Sequence, residues 1–262
     1  MAPMSDLELR FSGIRRLYGA DGFARLARAH VCVVGVGGVG SWAAEALART
    51  GIGRLTLVDL DDVCVSNVNR QLHALDGEIG QPKAKVMAKR IRAINPAIDI
   101  HVVTEFFSAE NAARLFTGGF DNIIDAIDHV GNKCLLITEC RARNIPIITC
   151  GGAGGRRDPT AIRVADLAHA THDRLLRQTR DRLRAEHGYQ RKLGKKMGVE
   201  CVFSSESPVF PWKDGTVCAT KEAGSELKLD CESGYGTAAF VTGTFGFAAA
   251  ARAVALLAAP RE

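Results

Sequence analysis

The segment Gly35-Val-Gly37-Gly38-Val-Gly40-Ser41 follows directly on an apolar, β-branched run at 31–35, and alanines with Leu47 at helical spacing follow it over 41–50. Residues 54–59, Arg-Leu-Thr-Leu-Val-Asp, then supply a second short apolar run. Strand, glycine turn, helix and strand in this order predict a parallel pair, because a right-handed crossover packs the helix back onto the sheet. The glycines let the backbone approach a phosphate, and the helix N-terminus offers N–H groups and the positive end of a dipole. A nucleotide is expected here.

The pattern repeats down the chain. Residues 83–94 read as a helix stopped by Asn95-Pro96, 98–104 and 120–125 as strands, 133–143 as a helix, and 145–150 as a strand ending at Gly151-Gly152. The expected fold class is α/β, a doubly wound, mostly parallel Rossmann-like sheet with a C-terminal α+β extension. The division expected is a nucleotide-binding core with an N-terminal helical segment over 1–155 and the extension over 156–262. The extension holds a basic segment at 174–196, strands at 199–205 and 215–220 around a loop with Pro208, Pro211 and Trp212, a polar loop at 221–233 containing Cys231, and a final helix.

Composition narrows the class further. With 47% hydrophobic and 24% charged residues among 262, disorder, a collagen repeat and a disulfide-stapled mini-protein are excluded. The net charge of +5 is too small to require nucleic acid as a partner. Its excess is concentrated at 174–196, where nine Arg and Lys stand against Asp181 and Glu186; a solvated helix face accounts for this as it stands. The eight cysteines form no CxxC pair, so a zinc knuckle and a redox dithiol are excluded and reduced thiols in the cytoplasm are expected. Cys32 and Cys150 read as small core residues and Cys231 as an accessible one. The first ten residues carry no signal-length apolar run. Residues 238–260 are apolar, but Thr242, Thr244 and Arg252 interrupt them, so a buried helix and no membrane association are expected.

Asp59 ends the second strand and Asp61 follows, placed for ribose hydroxyls. Gly35, Gly37 and Gly40 alone also satisfy the dinucleotide fingerprint of a nicotinamide or flavin enzyme. Ser66-Asn67-Val-Asn69-Arg70-Gln71, Gly80-Gln-Pro-Lys83 and Asp125-Ala-Ile-Asp128 shift the balance. Hydride transfer beside a diphosphate has no need of Arg70, Lys83 and Asp128 at strand ends. Displacement at the α-phosphate of a triphosphate does: it builds charge on the phosphate oxygens and on leaving pyrophosphate, which fixed cations and a carboxylate-held magnesium offset.

These motifs together resemble the adenylation core of the ThiF/MoeB/ubiquitin-activating-enzyme superfamily, over most of residues 10–155. Its members attach AMP to a carboxylate, usually the C-terminal glycine of a ubiquitin-like protein. The resemblance implies ATP and Mg2+ as cofactors, with a monovalent cation (K+ or Na+) as a further expected occupant. It puts the nucleotide on Gly35, Gly37, Gly38, Gly40, Asp59, Asp61, Asn67, Asn69, Arg70 and Lys83. Within that set Asp61 takes the ribose, Asn67 and Arg70 the phosphates, and Lys83 the phosphates and acyl-adenylate, while Asp128 holds the metal.

Two features depart from the carrier-activating branch: the CxxC pairs are missing, and Gly13 stands where an arginine is often found, with Arg10, Arg15 and Arg16 nearby. Residues 10–19, 151–159, 201–206 and 230–236 instead resemble the branch that cyclises threonylcarbamoyladenosine in tRNA, extending the likeness over nearly the whole chain. That branch implies a tRNA partner, a homodimer, and a sulfur-accepting Cys231 linked to a cysteine desulfurase system. It also implies RNA contact along 174–196, with Tyr189, Trp212 and Tyr235 as candidates for stacking on a base. Activation of a ubiquitin-like sulfur carrier is the alternative. Asp128-His129 replaces the usual Asp-Asn.

Overall fold

The computed structural model describes residues 6–192, 194–222 and 235–260. The core elements are α1 (Asp6–Leu26), β1 (His30–Val34), α2 (Gly40–Arg49), β2 (Arg54–Val58), α3 (Lys83–Ile94), β3 (Asp99–Val103), α4 (Ala109–Phe116), β4 (Asn122–Asp125), α5 (Val130–Ala142) and β5 (Ile147–Cys150). After them come β6 (Ile162–Asp166), α6 (Arg174–Glu186), β7 (Glu200–Ser204), β8 (Phe210–Pro211), β9 (Val217–Cys218) and α7 (Ala239–Ala258).

Every residue of β1 is buried, as a central parallel strand must be when helices cover both faces of its sheet. Its side chains alternate. Val31 and Val33 face a layer that includes Ala44 and Leu47 of α2, Met87 and Ile91 of α3, and Phe245 and Ala249 of α7. Cys32 and Val34 face Ala112 and Phe116 of α4 and Leu136 and Cys140 of α5. The strand order is β3-β2-β1-β4-β5-β7-β6. All neighbours pair in parallel except β6, which runs antiparallel on β7. The expected mostly parallel α/β sheet is present, and β6 and β7, from beyond residue 155, complete it.

Helix α7 is long and apolar enough to cross a membrane by length and composition. It is spent on the core instead: Val241, Phe245, Ala249, Ala250, Ala253 and Val254 are buried. Gly246 lets it close on α2, since a Cβ there would stand 2.6 Å from the Val39 carbonyl oxygen. Arg252, the residue least suited to a span, pairs with Glu200 of β7 at 2.7 Å.

Several local details differ from the sequence expectations. Helix α4 lies between the expected strands at 98–104 and 120–125, where no element is expected; Ser108 and Asn111 form a capping box at its start. Strand β6 went unread because its pattern is that of a half-exposed edge. Helix α6 covers only the first part of the basic segment, ending before Gly188 at φ +66°. The strand expected at 215–220 is the two-residue β9, paired with β8. Cys32 and Cys150 are core residues as expected, and burial pushes the Cys150 thiol up to about 12. Cys231 lies outside the described residues.

Candidate nucleotide site

The order of the sheet reverses between β1 and β4, and the crevice beyond the carboxyl ends of those strands is where such folds bind ligands. A cavity of about 500 Å³ opens there. Its floor is the glycine loop, whose glycines serve two purposes. Gly35 sits at φ +89°, and a Cβ on it would lie 2.8 Å from the Ala126 carbonyl oxygen, so glycine lets the ends of β1 and β4 approach. Gly40 is tighter, with a Cβ only 1.8 Å from the Gly35 oxygen. Gly37 and Gly38 line the cavity itself. No side chain caps the first turn of α2; the Ser41 and Ala43 N–H groups close back on the Gly37 and Val39 carbonyls, and the remaining first-turn N–H groups are left for an anion.

Asp59 closes β2 and is buried. It accepts the Val36 N–H at 2.5 Å and the Asp61 N–H at 2.9 Å, which pins the glycine loop to the strand end. Burial raises its carboxyl above the ordinary range, against those two N–H donors and the charge of Lys83. Asp61 is half exposed and pairs with buried Lys83 at 2.8 Å. Lys83 opens α3, where its own N–H bonds the Asp61 carbonyl at 2.9 Å.

The segment between β2 and α3 is a framework for Arg70. Asn67, buried, accepts the Cys64 N–H at 3.1 Å and closes a 3-10 turn. The Arg70 carbonyl accepts from the Trp42 indole and the Thr242 hydroxyl, both at 3.1 Å, so α2 and α7 fix its backbone. Its guanidinium donates to Ser66 O and Asn69 Oδ1. Asn69 in turn reaches Thr237 O at 3.0 Å.

Opposite stands Asp128, exposed in the turn after β4. That turn is anchored by fully buried Asp125, which accepts the Ile127 N–H at 3.0 Å and pairs with Lys133 at 2.7 Å. His129 caps α5 by accepting the Asn132 N–H, which gives the residue after Asp128 a structural duty.

Nine of the ten expected nucleotide residues line the cavity together, as does Asp128; Gly40 does not, and packs against the Gly35 carbonyl instead. Arg10, Arg15 and Arg16 do not; Arg10 pairs with Asp6. Of the three aromatic candidates, Tyr235 lines the cavity, whereas Tyr189 is buried beneath Arg141. Glu105 and Phe106 after β3, Asn132, and the turn at 151–154 were missed as lining residues. Their signal was positional: each follows a parallel strand or begins the next helix.

His73, behind the site, is 1% exposed and neither ring nitrogen has a hydrogen-bond partner. Burial, with the Lys83 charge second, pushes its imidazole from 6.5 down to about 4. Such a group binds fewer protons folded than unfolded between those values, so its contribution is complete above 6.5 and lost as pH falls toward 4. The loss is about 3 kcal/mol. Urea midpoints measured from pH 7 to 4 should fall less steeply in His73→Leu than in the unsubstituted protein; equal slopes refute the assignment.

The ThiF family model matches residues 12–262. The tRNA threonylcarbamoyladenosine dehydratase of Escherichia coli strain K12 is 52% identical over 246 residues, 94% of this chain and 92% of that protein. The protein of the same name from Haemophilus influenzae is 44% identical, covering 97% and 95%. The E. coli dehydratase structure solved in complex with ATP superposes with a TM-score of 0.86 at 47% identity, over 98% of this chain and 97% of that one. The family match over nearly the whole chain, the sequence identities and the superposition agree, and the chain belongs to the ThiF family.

Proposed function

We propose that this chain uses ATP to dehydrate threonylcarbamoyladenosine in tRNA, activating the threonyl carboxylate as an acyl-adenylate. The carrying observation is the convergence of Arg70, Lys83 and Asp128 on one cavity floored by the glycine loop. The likeness to the E. coli dehydratase along nearly the full length of both chains supports the choice of acceptor.

The phosphates rest on the loop and the start of α2, and Asp61 accepts from the ribose. A carboxylate oxygen bonds the α-phosphorus while the bond from that phosphorus to the pyrophosphate oxygen breaks. Arg70 and Lys83 offset the charge that gathers on the leaving group. The carbamoyl group then bonds the activated carbonyl carbon, its proton passes to solvent, and AMP departs with an oxygen that began in the carboxylate. The elements of water leave in this way, because AMP is a far better leaving group than oxide.

Mg2+ fits this arrangement. Asp128 would hold it, since one exposed carboxylate plus phosphate oxygens and water is how Mg2+ binds at nucleotide sites, and no cluster of three or more His, Cys, Asp or Glu suited to a metal occurs among the described residues. When bound, the ion neutralises phosphate charge. The tRNA is met by α6, where Arg177 and Arg182 are exposed, giving affinity that falls with salt. A homodimer in the cytoplasm is part of this reading, supported by exposed Leu60, Val65, Val68 and Leu75 beside the site.

ATP–pyrophosphate exchange with threonylcarbamoylated tRNA, unmodified tRNA and a carrier protein ending in Gly-Gly tests the reading. Exchange is expected with the first alone, and exchange with the carrier alone overturns it. With 18O in the threonyl carboxylate, one label should appear in AMP; label released only as water contradicts adenylation.

A further inference from the structure

A second cavity of about 220 Å³ opens beside the nucleotide site, and the two share Asp128, Gly152, Gly154, Leu175 and Tyr235. It is smaller than the roughly 300–1,000 Å³ typical of pockets for drug-sized ligands, so it suits a group of amino-acid size. Tyr235 stands at the junction because Gly154 and Gly155 make room for it: a Cβ on either would lie 2.8 or 3.2 Å from its side chain.

The far wall carries two cations, Arg156 and Arg174, and one buried carboxylate, Asp173. Arg156 is 4% exposed, donates to the carbonyls of Glu206 and His172, and has no partner at Nε. No carboxylate stands within ion-pair distance of it among the described residues, and burial lowers its pKa. The nearby carboxylates are engaged elsewhere: Asp173 accepts the Gly152 and Leu176 N–H groups, and Glu206 those of Arg157 and Asp158. A buried guanidinium in this state is stabilised by an anion arriving in the cavity. Arg174 joins it from the first turn of α6. Gln178 follows one turn later on the same face and also lines the cavity.

We infer that this second cavity receives the threonylcarbamoyl substituent of the modified base, an assignment that rests on the dehydration reading above. The carboxylate lies between the junction and the far wall, where Arg174 and Arg156 offset its charge as it approaches an anionic α-phosphate. The Gln178 amide, both donor and acceptor, faces the carbamoyl group, which presents the complementary pair. The base stacks at the shared mouth, on Tyr235.

The test uses anticodon stem-loops bearing the threonylcarbamoyl group as free acid, as methyl ester, or not at all, with binding measured without ATP. The unsubstituted protein should prefer the acid over the ester by about tenfold or more, the usual worth of one charge-assisted hydrogen bond. Arg174→Gln should bring that preference close to parity. Gln178→Leu should weaken acid and ester alike relative to the unmodified stem-loop. A phosphate-contact role for Arg174 would weaken all three equally. An acid preference that survives in Arg174→Gln, or an equal loss on all three stem-loops, overturns the pocket assignment while dehydration of modified tRNA by the unsubstituted protein stands. Absence of that dehydration overturns the reading beneath it.

Discussion

Lys83→Met should lower kcat/KM for the modified tRNA by about 10²–10³-fold, the cost of removing one preorganised donor from developing oxyanion charge. The methionine keeps the stem that packs at the start of α3 and deletes the ammonium. Stability should change little, because the partner left behind, Asp61, is half exposed and can turn to water. Arg70→Ala is expected to fall in the same range, and its backbone stays fixed by Trp42 and Thr242. Because both cations act on the same leaving pyrophosphate, the double variant should lose less than the product of the single losses. AMP release under single-turnover conditions, beside a urea titration of each variant, gives the comparison. Turnover within threefold of the unsubstituted protein in both single variants would remove the phosphate-stabilising role that the whole reading needs.

The sequence made the nucleotide half of this site legible because a parallel sheet places its strand ends in one row. Gly35, Asp59, Lys83 and Asp128 could be joined from spacing alone, since each stands at the end of a strand or the start of a helix. What Asp59 does there was not visible. It reads as a ribose contact, yet its carboxyl oxygens bond the N–H groups of Val36 and Asp61, a commitment decided by the curl of the glycine loop. The cavity beside it was illegible for a different reason. Arg156, Arg174 and Gln178 belong to no periodic pattern and meet only because β5, α6 and the turn at 151–154 converge. Edge strand β6 was hidden likewise, since a half-exposed edge lacks the continuous apolar run that marked β1. Helix α7 could be recognised as buried because Thr242, Thr244 and Arg252 interrupt its apolar run, but its hold on the Arg70 carbonyl through Thr242 spans 172 positions in sequence.

Asp125→Ala should destabilise the fold by about 3–5 kcal/mol, the usual consequence of leaving one member of a buried ion pair without the other. Asp125 and Lys133 have fully buried side chains, and both bond the Thr149 hydroxyl. Their pairing is weak evidence for stability in itself, because the cost of desolvating two charges offsets most of their attraction. The triple variant Asp125→Leu, Lys133→Met, Thr149→Val should therefore recover most of the stability lost in Asp125→Ala. Activity should not recover with it. Asp125 also accepts the Ile127 N–H, and that bond orients the turn carrying Asp128 into the cavity; leucine cannot replace it. A urea midpoint near that of the unsubstituted protein together with AMP release reduced at least tenfold would separate the two duties of the carboxylate. Full recovery of both would mean that packing alone holds Asp128, and that the buried pair contributes nothing to the geometry of the site.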